Sequence, residues 1–135
     1  MTSLMGYSDS TPLGVAREAG DRGRTRTFVS WVLQIGAAAM VLLAGSLKLL
    51  GAAPMVQMFG AIGLGQWFRY VTGTIEVVSA VLLLVPSLAF FGAVALVPTM
   101  IGAIATHLFV IGGSPAPAIG LLAATSAVAW IRRPR

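Results

Sequence analysis

Between Thr27 and Ile131 the chain carries only three formally charged side chains, Lys48, Arg69 and Glu76, together with one histidine, His107. A stretch this poor in charge cannot present a soluble surface, and it has room for several membrane crossings of about 20 residues each. Each surviving ionisable group then sits where charge is costly, which makes it a candidate functional residue with a partner to be identified. Composition agrees. Apolar residues make up 57% of the sequence and charged ones 10%, against about 25% charged in ordinary soluble domains.

The net charge of +5 would suit nucleic acid, but its placement argues otherwise. Arg17, Arg22, Arg24 and Arg26 precede the first apolar run, and Arg132, Arg133 and Arg135 follow the last. Flanking basic clusters of this kind set membrane orientation and attract anionic headgroups. The expected partners are membrane lipids and not nucleic acid. Cysteine is absent, which excludes thiol catalysis, disulfide exchange, iron–sulfur clusters and thiolate zinc sites. A lone histidine cannot supply paired haem ligands, and no metal-ligand cluster occurs, so no metal is expected. No Asp follows Asp21, and no serine stands at suggestive spacing from His107, so a hydrolytic triad is unsupported. Gly60, Gly63 and Gly65 have the wrong order for a dinucleotide fingerprint and read as a turn.

Residues 1–26 are Ser/Thr/Gly-rich with mixed charge, a composition that predicts a disordered cytoplasmic tail. The apolar run that follows is longer than the roughly 7–15 residues of a signal-peptide core, so it reads as a retained span. Residues 27–131 form the predicted membrane domain, with spans at 28–50, 67–85, 90–111 and 116–131. The last is short if its helix starts at Ala118 and adequate if it starts near Pro115 or Pro117, good first-turn residues. Residues 132–135 make a basic cytoplasmic end. Pro86-Ser87 and Gly112–Pro115 punctuate the spans, and Pro98 predicts a kink in the third. The stretch Pro54–Gln66 is apolar, too short to cross, and predicts a short helix in the interface or across the bundle mouth. Connections this short join antiparallel neighbours. The predicted fold is therefore an all-α integral membrane protein, an up-down-up-down four-helix transmembrane bundle with a short interfacial segment between spans 1 and 2. The basic termini place both ends in the cytoplasm of a multi-pass protein of the cell membrane, of the bacterial cytoplasmic type.

This topology brings Lys48, Arg69, Glu76 and His107 to similar depths. Glu76 lies about 10 Å past Arg69 along its helix, and His107 stands about a turn from the end of its own. Upstream of Lys48, steps of three and four meet Gly45, Ala44, Val41 and Ala37. Around Glu76 they meet Arg69, Thr72, Gly73, Ser79 and Ala80. Small residues mark helix contact faces in membranes, so these polar groups are expected to point inward, with Thr72, Gly73 and Tyr70 in support. The alternatives are structural: Lys48 reaching the headgroups, Glu76 in an ion pair or neutral by burial, His107 as a packing residue, Arg69 beside Trp67 as an interfacial anchor.

The strings Ala44-Gly45-Ser46-Leu47-Lys48-Leu49, Pro54-Met-Val-Gln-Met-Phe59 and Tyr70-Val-Thr-Gly73-Thr-Ile-Glu76, the last opening into a Leu/Val run that ends at Pro86, resemble the DoxX/DoxD-like family. The match covers about 42–86, and the four-span layout extends it to the C-terminus. Lys48, Gly73 and Glu76 fall on the family's most recognisable positions. The resemblance implies a compact membrane bundle. Name-giving members are membrane subunits of a thiosulfate:quinone oxidoreductase, mycobacterial relatives associate with oxidoreductase complexes, and distant eukaryotic relatives act as membrane chaperones or cargo receptors.

Three functions follow. The first, favoured by the resemblance, is a redox-linked subunit near a quinone, the one cofactor implied. In it Lys48, Glu76 and His107 bind the headgroup or relay protons, and a partner protein supplies electrons. The second is a non-catalytic assembly, chaperone or lipid-binding module with a protein client. The third is a small proton-coupled transporter, which four short spans support only as a homo-oligomer. Catalytic residues, and enzyme activity itself, are not assigned by the sequence.

Overall fold

The computed structural model describes residues 11–135 and is all-α, with no strand among those residues. Five helices follow one another: α1 (Pro12–Leu49), α2 (Ala53–Ile62), α3 (Gln66–Leu84), α4 (Ala89–Thr106), which opens into a π-helical turn (His107–Ile111), and α5 (Ala116–Arg132). Their ends fall where local chemistry places them. Thr11 accepts a hydrogen bond from the Gly14 amide and Pro12 starts α1, the usual pairing of a hydroxyl cap with proline in the first turn. Gly63, at φ 80°, ends α2 in the left-handed conformation that glycine adopts without strain. Pro134 lies just beyond the end of α5, and the residue before a proline is disfavoured in a helix.

Helices α1, α3, α4 and α5 close a ring, each packing on the next and α5 returning to α1. Gln34 of α1 meets the last turn of α3, and Lys48 meets its middle, so these two helices run antiparallel. The core is narrow and rich in small residues: Ala37, Ala38, Ala80, Ala89 and Ala93 surround the fully buried Val41, Leu83, Leu96 and Val128. Large apolar side chains face outward instead, among them Phe28, Val32, Leu43, Val81, Phe91, Ile101 and Trp130. Water disfavours such a surface and lipid accepts it.

Three helices are long and apolar enough to cross a membrane: α1, α3 and α4 continued through its π turn to Ile111. The fourth predicted span, α5, is a shorter apolar helix of 17 residues, about 26 Å at 1.5 Å per residue. The protein is thus multi-pass, with α5 packed against two of the three long helices. Between spans 1 and 2 the expected short helix is present as α2, but Gln66 opens α3 and does not belong to it.

One expectation is corrected. The predicted disorder of residues 1–26 does not extend past Pro12, because α1 continues unbroken through 12–26; residues 1–10 lie outside the described residues. Side chains along this extension are almost all exposed. Its helicity therefore comes from the Thr11 cap, from Ala16, Arg17, Glu18 and Ala19, and from the Glu18–Arg22 pair one turn apart. Continuity with the span removes the cost of nucleating a separate helix.

Candidate functional site

The α1–α3 crossing is set by two glycines. A Cβ on Gly45 would lie 2.9 Å from the Gly73 carbonyl oxygen, and one on Gly73 would lie 3.1 Å from that of Gly45. Backbone against backbone cannot yield, so only glycine permits this approach. The close contact brings the next polar residue of each stripe together. Lys48 Nζ donates to both carboxylate oxygens of Glu76, at 2.9 and 2.7 Å. The side chains retain 13% and 4% of their exposure, so the pair is a buried, doubly hydrogen-bonded one.

Beside the pair lies a cavity of about 440 Å³. Lys48 and Glu76 form one wall with Thr72 and Ile75 of α3. Met55, Met58, Phe59 and Ile62 of α2 cover it, and Phe59 is held by an edge contact to Phe68. The third side is α4, where Pro98, Gly102 and Ala103 leave the space open and His107 supplies an imidazole. His107 Nδ1 is buried and has no hydrogen-bond partner among the described residues. Burying such an atom without a partner costs about 1–3 kcal/mol. It stands at the start of the π turn, a break in the regular helical ladder that recurs at functional sites. The three threonines of the lining, Thr72, Thr99 and Thr106, all donate to carbonyls of their own helices. Their oxygens can only accept from a guest.

Lys48, Glu76, His107 and Thr72 are therefore brought to one cavity, whereas Arg69, Gly73 and Tyr70 lie outside its lining. Gly73 makes the helix crossing. Arg69 is buried, but its guanidinium is committed: it donates to the Lys48 carbonyl and, at 2.8 Å, to Gln66 Oε1, and it stacks 4.3 Å over the Tyr70 ring. Gln66 in turn donates to the Val56 carbonyl of α2. Arg69 thus caps the C-terminal end of α1, where a cation is favoured by the helix dipole, and ties α1, α2 and α3 around Lys48. Trp67 and Tyr70 are the exposed aromatics of that turn.

A second polar cluster at the opposite end of the bundle escaped the sequence reading. Arg132 donates to Ser30 Oγ at 2.9 Å and to Gln34 Oε1 at 3.0 Å, and Gln34 Nε2 donates to the Leu83 carbonyl at 2.8 Å. Ser30 and Gln34 are fully buried. This network fastens the end of the short α5 to α1 and α3. A signal was present, since Ser30 and Gln34 extend the same stripe as Ala37, Val41, Gly45 and Lys48 at steps of three and four. Neither is charged, so neither stands out in a search for ionisable groups.

The profile of the DoxX-like family matches residues 32–131, which takes in the whole cavity lining and, of the Ser30–Gln34–Arg132 network, Gln34 alone. The chain belongs to the DoxX-like family. Neither a curated protein nor a solved structure matches it significantly. The site of this DoxX-like protein therefore rests on its own geometry, and that geometry is consistent with ligand binding: a cavity inside the helical assembly, apolar on most sides, with one ion pair and one unpartnered imidazole.

Proposed function

We propose that this DoxX-like protein is a redox-linked membrane subunit whose cavity holds the headgroup of a lipophilic carrier of the quinone class. The observation that carries the reading is the pairing of Lys48–Glu76 with the unpartnered His107 Nδ1 on the walls of one apolar cavity. Lys48 spends two N–H groups on Glu76 and keeps a third for a carbonyl acceptor. His107 accepts from or donates to a second oxygen, according to its tautomer. Met55, Met58 and Phe59 supply soft apolar contact for a flat ring. A bound quinone would supply two-electron, two-proton carrier chemistry, with electrons from a partner protein. Glu76 and His107 are the groups at hand to take up its protons.

In the same reading the three long helices and α5 form a four-span bundle, up-down-up-down, with both termini cytoplasmic and the cavity in the outer half of the membrane. The test is extraction of the full chain into native nanodiscs and mass spectrometry of what accompanies it. The expected result is a co-purifying quinone that Ala103→Phe, which projects a ring into the cavity, removes. Membranes without the protein should also lose a quinone-dependent activity. Preparations free of quinone, together with unchanged activity for every electron donor tried, would overturn the reading.

A second reading, an assembly or chaperone module, is favoured by the exposed helical extension Pro12–Arg26, which offers a partner about 22 Å of helix beyond the first span. A protein partner that co-purifies without redox cofactors, and is lost when 12–26 is deleted, would select it.

A further inference from the structure

We propose that the Lys48–Glu76 pair is the specificity determinant of the cavity: because it is charge-balanced, it admits ligands without net charge and rejects both anions and cations. The inference rests on the cavity being a ligand site, and extends that reading to what the site excludes.

The pair is electroneutral wherever its shared proton resides, since a lysine ammonium with a carboxylate and a lysine amine with a carboxylic acid sum to the same charge. Both carboxylate oxygens are engaged, at 2.7 and 2.9 Å. A cationic guest is neutralised by Glu76 only if Lys48 is displaced, and an anionic guest, even one that accepts the third Lys48 N–H, is neutralised only if Glu76 is displaced. Either way one charge is left unbalanced among Met58, Phe59 and Ile75. A stranded buried charge costs far more than an exposed one.

No other group in the lining carries a fixed charge. His107 is its sole further titratable residue, and the three threonines have spent their protons on helix carbonyls. Arg69 is the nearest other cation, but it lies outside the lining, bound to the end of α1 and to Gln66. Its charge is offset there by the carbonyl end of the α1 dipole. A neutral guest meets the remaining Lys48 N–H and the His107 nitrogen without disturbing the pair. Removing one partner should reverse the selection. Glu76→Gln leaves an unopposed ammonium that recruits a carboxylate, and Lys48→Gln leaves a carboxylate that recruits an ammonium.

The experiment is native mass spectrometry of the full chain in mild detergent with four competing probes: a short-chain naphthoquinone, hexadecanol, palmitate and hexadecylamine. The wild type is expected to prefer the neutral probes at least tenfold, about 1.4 kcal/mol. Glu76→Gln should shift toward palmitate and Lys48→Gln toward hexadecylamine, each by at least tenfold. The double exchange Lys48→Glu/Glu76→Lys, which keeps the sum at zero, should retain the neutral preference. Wild-type protein that takes palmitate or hexadecylamine as readily as the neutral probes would overturn the proposal, and this comparison needs no variant to fold. Folded single variants with unchanged preference would do the same, as would failure of all four probes to bind. Hexadecanol separates the two ideas. Its binding without the naphthoquinone supports charge selection and refutes the quinone reading, whereas a naphthoquinone bound no better than palmitate refutes charge selection and leaves the quinone reading standing.

Discussion

Replacing Lys48 by methionine is the sharpest probe of how the site is held together. Methionine replaces the apolar stem of lysine but, one atom shorter and without an ammonium, leaves the Glu76 carboxyl without either of its hydrogen bonds, at 2.9 and 2.7 Å. At about 2.8 Å and an effective dielectric near 20, the attraction within the pair is about 6 kcal/mol. Much of that is offset by desolvation of both groups, so the pair adds little relative to two apolar residues. Removing one partner is different, because the desolvation cost remains and the attraction is gone. The expected loss is about 3–5 kcal/mol for Lys48→Met, and similar for Glu76→Leu. The double variant Lys48→Met/Glu76→Leu should return to within about 1–2 kcal/mol of the wild type, or exceed it. The assay is reversible unfolding in mixed micelles followed by circular dichroism, run as a full double-mutant cycle. A loss under about 1 kcal/mol for either single variant, typical of solvated surface pairs, would refute the buried-pair argument, as would a coupling energy near zero.

Other expectations follow from the same geometry. Gly73→Val puts atoms where the Gly45 carbonyl and Lys48 Cβ already lie, 3.1 and 3.0 Å from a Cβ; it should cost about 1–3 kcal/mol and uncouple Lys48 from Glu76 in the cycle. Gly102→Ala, whose Cβ meets nothing within 4 Å, should leave stability unchanged in the same unfolding assay. Arg132→Ala removes donors from the buried Ser30 and Gln34 and should cost about 1–3 kcal/mol; faster amide exchange in the last turn of α5 would locate the effect. For topology, a chain with no cysteine takes single ones cleanly. Ser114→Cys should react with an impermeant maleimide in intact cells and Arg135→Cys only after permeabilisation, and the reverse pattern would invert the proposed orientation.

Much of the site was legible because membrane helices obey a strong rule. Charge is so costly in lipid that Lys48, Glu76 and His107 stood out singly, and small-residue spacing told which way the first two point. Arg69 was legible as an isolated charge but not by its partners, since which carbonyl a long side chain reaches depends on where the end of α1 falls beside α3. The Ser30–Gln34–Arg132 network was hidden for a related reason. Uncharged polar residues are common in membrane helices, and only contact with a residue about a hundred positions away, at the end of α5, gives these two a purpose. The helical extension from Pro12 was missed because composition weighs a segment alone, whereas helix propagation weighs it as the continuation of a stable span.

The sequence by itself determined that residues 27–131 are apolar membrane helices and that Lys48, Arg69, Glu76 and His107 are their isolated ionisable groups, because hydrophobicity and 3.6-residue periodicity are local properties. Only the tertiary structure decided that Gly45 meets Gly73, that Lys48 therefore bonds both oxygens of Glu76, and that α2 spans from α3 to the π turn so as to cover one side of a cavity. Those outcomes depend on the depth and angle at which helices cross, which are set by packing between residues far apart in the chain.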